Sequence, residues 1–139
     1  VQYSPTEGRN WSSNAVATIP KHNALLVLDD FNAHLGTNDV RHSYHKSTNK
    51  NGQLLLDFTM ESNLTITNMK FQKQCSKLWT FHSDMSGSKT QIDYILINKK
   101  WRNSVKNIEA NNIFSSLGSD HRILNCTAEV EPKNQQNTS

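Results

Sequence analysis

Three short acid-bearing segments, each joined to an apolar run, constrain this chain more than any other feature. Asp29-Asp30-Phe31-Asn32-Ala33 closes one run, Gln91-Ile92-Asp93-Tyr94 opens a second, and Ser119-Asp120-His121-Arg122 precedes a third. Carboxylates and carboxamides at strand ends are costly to desolvate without partners. Strands that deliver all three segments to one place would supply those partners. A cluster of Asp, Asn and His there would suit a divalent metal and a phosphate ester.

The 139 residues are enough for one domain at most. With 35% apolar residues and a mean hydropathy of −0.70, the expected core is modest. At 19% charged residues the composition is not that of a disordered chain. No apolar run is long enough to span a membrane. Cys75 and Cys126 lie in no metal-type spacing and are too few for a disulfide scaffold, which fits a reducing, nuclear or cytoplasmic setting. Asn10, Asn63 and Asn125 begin N-x-Ser/Thr sequons, an expected chance result in so Asn-rich a chain. The chain starts at Val1, in what reads as the middle of a strand, as a fragment would.

The net charge of +3 is a weak pointer to a polyanion, but its distribution is informative. Between residues 69 and 106 stand Lys70, Lys73, Lys77, Lys89, Lys99, Lys100, Arg102 and Lys106, against only Asp84 and Asp93. Such a face would attract a phosphate backbone. A solvated lysine-rich surface explains it equally well.

Periodicity predicts mostly strands with one or two helices, an α+β or α/β layered pattern. Residues 24–28 read as a buried strand and residues 34–51 as a long polar loop. Residues 52–62 read as a helix with Leu54, Leu55 and Phe58 on one face, ended by Asn63 in the left-handed conformation. Strands are expected at 64–67, 78–82, 91–98, 105–110 and 122–130, with a turn at 83–90 centred on Gly87. Residues 14–19 suggest one helical turn closed by Pro20. Residues 131–139 read as a disordered polar tail.

If the strand continues through Asp30-Phe31-Asn32, Phe31 anchors in the core while Asp30 and Asn32 face a cleft. Asp30 could then position or deprotonate a water, or protonate a leaving oxygen, and Asn32 could donate to a phosphate. The plainer explanation is an Asx-turn or helix cap closing the strand. Asp93, just inside the best strand, needs a partner, and His121 is available: a carboxylate on one imidazole nitrogen orients the other. Pairing of Asp93 with Lys or Arg is the structural alternative. Asp120 suits a hard-metal ligand and His121 a base or phosphate contact, although a lone Asp-His pair is commonly incidental.

Together and in order, these residues resemble the C-terminal half of the endonuclease/exonuclease/phosphatase superfamily, the DNase I-like fold. The resemblance is closest to LINE-type retrotransposon endonuclease domains and craniofacial-development-protein-2-like domains. It runs from Leu25, Val27 and Leu28 through Asp30-Phe31-Asn32-Ala33-His34-Leu35-Gly36, then Asn51-Gly52-Gln53-Leu54-Leu55 and Leu78-Trp79-Thr80-Phe81, to Ser119-Asp120-His121-Arg122. It covers residues 1–130 as a partial domain. The resemblance implies half of a four-layer sandwich, one mixed β-sheet with few helices. It implies that Asp30 handles the water or leaving-group proton, Asn32 holds water and phosphate, Asp93 bonds the catalytic His121, and Asp120 lies at the metal. Tyr3 resembles the family's phosphate-contacting tyrosine, with a core aromatic as the alternative. Trp79 and Phe81 are expected in the core.

The implied activity is Mg²⁺- or Mn²⁺-dependent hydrolysis of DNA phosphodiesters, with DNA as partner and no small-molecule cofactor. The implied main metal ligand, a glutamate, belongs to the family's other half, so impaired activity is expected. Asp29 stands where the family has Gly, and residues 5–20 look short for the family's helix. The alternatives are a catalytically inactive DNA-binding remnant and a small-phosphoester phosphatase of the same superfamily.

Overall fold

The computed structural model describes residues 16–20, 22–114 and 120–129, with only the backbone at 112–114. The expected Tyr3 contact, the tail at 131–139 and most of the 5–20 segment lie outside these residues. The elements are β1 (Leu26–Asp30), α1 (Lys50–Glu61), β2 (Leu64–Ile66), β3 (Phe81–His82), β4 (Lys89–Thr90), β5 (Asp93–Asn98), β6 (Val105–Phe114) and β7 (Arg122–Ala128), with 3₁₀ turns at Thr67–Lys70, Cys75–Lys77 and Lys99–Ser104. The class is α+β with few helices, compatible with part of a DNase I-like fold. The single mixed sheet is replaced by three antiparallel ones: β1-β5-β2, β3-β4 and β6-β7.

β5 organises the molecule. Its Tyr94 and Leu96 face a core shared with Val27, Phe31, Leu35, Leu55 and Phe58. Its Ile95 and Ile97 face a second core with Val105 and Ile108 of β6. Burial on both faces explains its unbroken apolar run, and each such side chain contributes roughly 1.5–3 kcal/mol relative to exposure. β1 does not match its expected burial. Val27 is buried, but Leu26 and Leu28 are 44% and 58% exposed, because the β6-β7 ladder packs over β5 and leaves β1 uncovered.

α1 starts earlier than its apolar periodicity suggests, because Asn49 caps it: the Asn49 Oδ1 accepts from the Gly52 amide at 2.8 Å. Gly52, Leu55, Phe58 and Thr59 form its buried stripe. Asn63 ends it at φ 57°, as expected. Gly52 is required for close approach, since a Cβ there would lie 2.0 Å from the His34 carbonyl oxygen. The helix start is thereby docked against the segment that follows β1. Among the described residues no helix is long and apolar enough to cross a membrane, and Cys75 and Cys126 are free and exposed.

Candidate active site

Strand pairing brings the three acid-bearing segments together. Asp30 at the end of β1 is the register partner of Asp93 at the start of β5, so their side chains leave the same face. The third segment arrives through β3. The Arg122 amide donates to the Thr80 carbonyl at 2.7 Å, the His82 amide donates to the Asp120 carbonyl at 3.0 Å, and His121 bridges Phe81. Thr80 in turn touches β5: its Oγ1 accepts from the Ile92 and Asp93 amides at 3.0 and 3.2 Å.

The result is an imidazole between two carboxylates. His121 Nδ1 lies 2.9 Å from Asp93 Oδ2, and His121 Nε2 lies 3.6 Å from Asp30 Oδ2. An Nδ1–H donated to Asp93 assigns the tautomer and turns Nε2 toward Asp30. The Phe81 ring lies against the imidazole with centroids 5.0 Å apart. Burial raises the Asp93 carboxyl above its ordinary range; hydrogen bonds from Thr80 and His121 act the other way, and the Asp30 charge raises it further. The site opens onto a groove of about 330 Å³ lined by Leu28, Asp30, Asp93, Ile95 and Leu124. A larger cavity of about 460 Å³ lies at the far end of β5, beside Leu25, Asn63 and Asn98, and holds none of these groups.

Asp30 both closes a turn and faces the imidazole. Its Oδ1 accepts from the Asn32 amide at 2.9 Å, closing an Asx-turn, while its Oδ2 faces His121. The turn also corrects the extended geometry expected through Asn32, which instead adopts φ 47°. Phe31 is anchored in the core as expected. The Asn32 carbonyl accepts from Asn51 Nδ2 at 2.9 Å. Its own exposed carboxamide makes no hydrogen bond among the described residues. Asp29 occupies a regular ladder position opposite Tyr94, and its Oδ1 accepts from the Asp30 amide at 2.8 Å.

Asp30, Asp93 and His121 offer ligand atoms within 4.8 Å of one another. They do not make a Mg²⁺ site by themselves, because both imidazole nitrogens already face carboxylates and a hard cation takes six oxygens. Asp120 is exposed and stands outside that group.

Several supporting residues escape a motif reading. Fully buried Thr80 holds the start of β5, and Asn68 Oδ1 accepts from the Ile95 amide at 2.9 Å. The Tyr94 hydroxyl donates to the Ala33 carbonyl at 2.8 Å, and burial raises its pKa. The Arg122 guanidinium, 4% exposed, donates to the carbonyls of Ser76, Trp79, Ala110 and Asn111. A hydroxyl inside an aromatic strand was the one available signal for Thr80. Trp79 and Phe81 correct the core expectation: both are partly exposed, with the Lys89 and Arg122 cations over the Trp79 ring at 4.9 and 4.0 Å.

Craniofacial development protein 2 of Bos taurus and of Tragulus javanicus are each 31% identical to this chain over 109 residues. The match covers 76% of this chain but only 18% and 19% of those proteins, so the chain spans under a fifth of the length of the curated relatives it matches. This identity makes the chain a homologue of craniofacial development protein 2. No family model matches.

Proposed function

We propose that this homologue of craniofacial development protein 2 carries the acid–base wall of a phosphodiesterase site of the endonuclease/exonuclease/phosphatase type, of LINE-retrotransposon character, acting on DNA. The observation that supports this reading is His121 held between Asp93 and Asp30. Hydrolysis requires a water oxygen to attack phosphorus, its proton to be accepted, and the departing sugar oxygen to receive one. Asp93 orients the imidazole. Asp30, facing His121 Nε2, takes the water proton or supplies one to the leaving oxygen. The Asn32 carboxamide donates to a phosphoryl oxygen, and Tyr3 belongs to the reading as a second phosphate contact. Mg²⁺ or Mn²⁺ belongs to it with Asp120 as one ligand and its principal ligands from outside the described residues.

Plasmid nicking tests the reading. In Mg²⁺, residues 1–139 alone are expected to leave supercoiled plasmid intact. The same residues joined to the complementary half of an endonuclease/exonuclease/phosphatase domain are expected to nick it, and His121→Ala is expected to abolish that nicking. Nicking by the joined protein that survives both His121→Ala and Asp30→Asn overturns the assignment. A non-catalytic DNA-binding remnant is the second reading, supported by a cationic corner remote from the acid–base groups.

A further inference from the structure

The eight basic residues between 69 and 106 do not form one even face. Lys73 and Lys77 lie 3.6 and 3.4 Å from the Glu109 carboxylate, and Lys89 lies over Trp79. Of the others, Lys70, Lys99, Arg102 and Lys106 gather at the end of β5 opposite Asp93, while Lys100 lines the cavity that Glu61 also lines. At that end of β5 the turn Lys99–Ser104 carries Lys99 and Arg102, β6 begins with Lys106 in its second position, and Lys70 reaches across to donate from Nζ to the Arg102 carbonyl at 2.5 Å. Burial, followed by the charges of Arg102 and Lys106, lowers the Lys70 pKa.

The supplying segments contain no acid: neither residues 62–83 nor residues 94–108 include an Asp or Glu. Among the described residues, no ion pair involves Lys70, Lys99, Lys100, Arg102 or Lys106. Converging cations repel one another, so the arrangement is favoured when an anion spans them. A polyanion with closely spaced charges fits better than a single ion. β5 separates this corner from Asp93 by six residues, a rise of roughly 17 Å, so its ligand is distinct from a phosphate held at His121.

We propose that Lys70, Lys99, Arg102 and Lys106 form a sequence-independent docking surface for the phosphate backbone of duplex DNA, separate from the acid–base site. This rests on the DNA reading above for the class of ligand only. Each phosphate contact adds about 0.9 to the slope of log affinity against log salt. The triple variant K70Q/R102Q/K106Q is therefore expected to flatten that slope by about 2.7. Raising salt from about 50 to about 200 mM then costs the variant about 40-fold less affinity than it costs the wild type.

Fluorescence anisotropy of a labelled duplex with the purified chain measures this. K99Q/K106Q, which leaves the Lys70 bond to the Arg102 carbonyl in place, is expected to flatten the slope by about 1.8. R41Q/K46Q/K50Q, which removes as much charge as the triple variant but elsewhere, is expected to keep the wild-type slope. Equal slopes for wild type and both corner variants overturn the proposal while leaving the phosphodiesterase reading intact. Equal loss in the R41Q/K46Q/K50Q control assigns the effect to net charge and also overturns it. Tighter binding of a polyglutamate peptide than of duplex at matched charge reassigns the corner to an acidic protein.

Discussion

Asp30 and Asp93 are register partners in the β1-β5 ladder, and the His121 imidazole lies between their carboxylates at 3.6 and 2.9 Å. Like charges directly opposite one another weaken a sheet by a few tenths of a kcal/mol to about 1 kcal/mol. The histidine, delivered from another ladder, offers a ring nitrogen to each carboxylate. The pairing therefore couples three chain segments through one side chain.

Asp93 gives the first test. Burial raises its carboxyl above the ordinary 3.8, so the fold favours the protonated form. Its contribution is most favourable below 3.8 and declines as pH rises through the raised value. Asp93→Asn removes that titration. Melting temperatures of variant and wild type across about pH 3 to 7 should show the difference, variant minus wild type, becoming more positive with pH. A difference that stays flat or falls counts against a desolvated Asp93.

His45 should titrate in the opposite sense. Its ring stacks on His34 with centroids 3.9 Å apart, and its Nε2 accepts from the Gln91 amide at 3.1 Å. Burial, then the neighbouring His34, lowers its pKa from 6.5 to about 4. The neutral ring is the folded form, so this stability is present above 6.5 and lost as pH falls toward about 4. Urea midpoints should fall over that window in wild type and fall less in His45→Gln. Parallel pH profiles would rule out this source.

Gly52→Ala should destabilise the chain despite the better helix propensity of Ala. The new Cβ would meet the His34 carbonyl oxygen at 2.0 Å and Thr48 Cγ2 at 2.7 Å. Relieving a clash with backbone requires the helix start to move, which costs about 1–3 kcal/mol. Urea denaturation measures it; an unchanged or raised midpoint would show that the two segments part easily.

Arg122→Met should cost at least about 3 kcal/mol, because it leaves four backbone carbonyls without their cationic donor. Since Arg122 adjoins His121, NMR of the histidine ring should also report a changed Asp93 hydrogen bond. A variant as stable as wild type, with an unchanged His121 ring signal, removes Arg122 from both roles.

Much of the fold was legible from local pattern. The apolar run of β5, the helix around Leu55 and Phe58 and the left-handed Asn63 follow from periodicity and capping. The pairing of Asp93 with His121 was legible as complementary chemistry. The exposure of Leu26 and Leu28 was not, since apolarity does not reveal which face a neighbouring ladder covers. The Asx-turn was foreseen as an alternative, but only the backbone at Asn32 shows that Asp30 can close it and still face His121.

The sequence by itself determined which groups were available: Asp30, Asn32, Asp93, Asp120 and His121, and two acid-free segments bearing lysine and arginine. These are matters of residue type and order. Tertiary structure alone decided which groups meet. It brought Asp30, Asp93 and His121 within 4.8 Å and left Asp120 outside, and it paired Lys73 and Lys77 with Glu109 while gathering four other cations elsewhere. The physical reason is that ladder register and cross-strand packing act between residues far apart in the chain, and no local pattern specifies them.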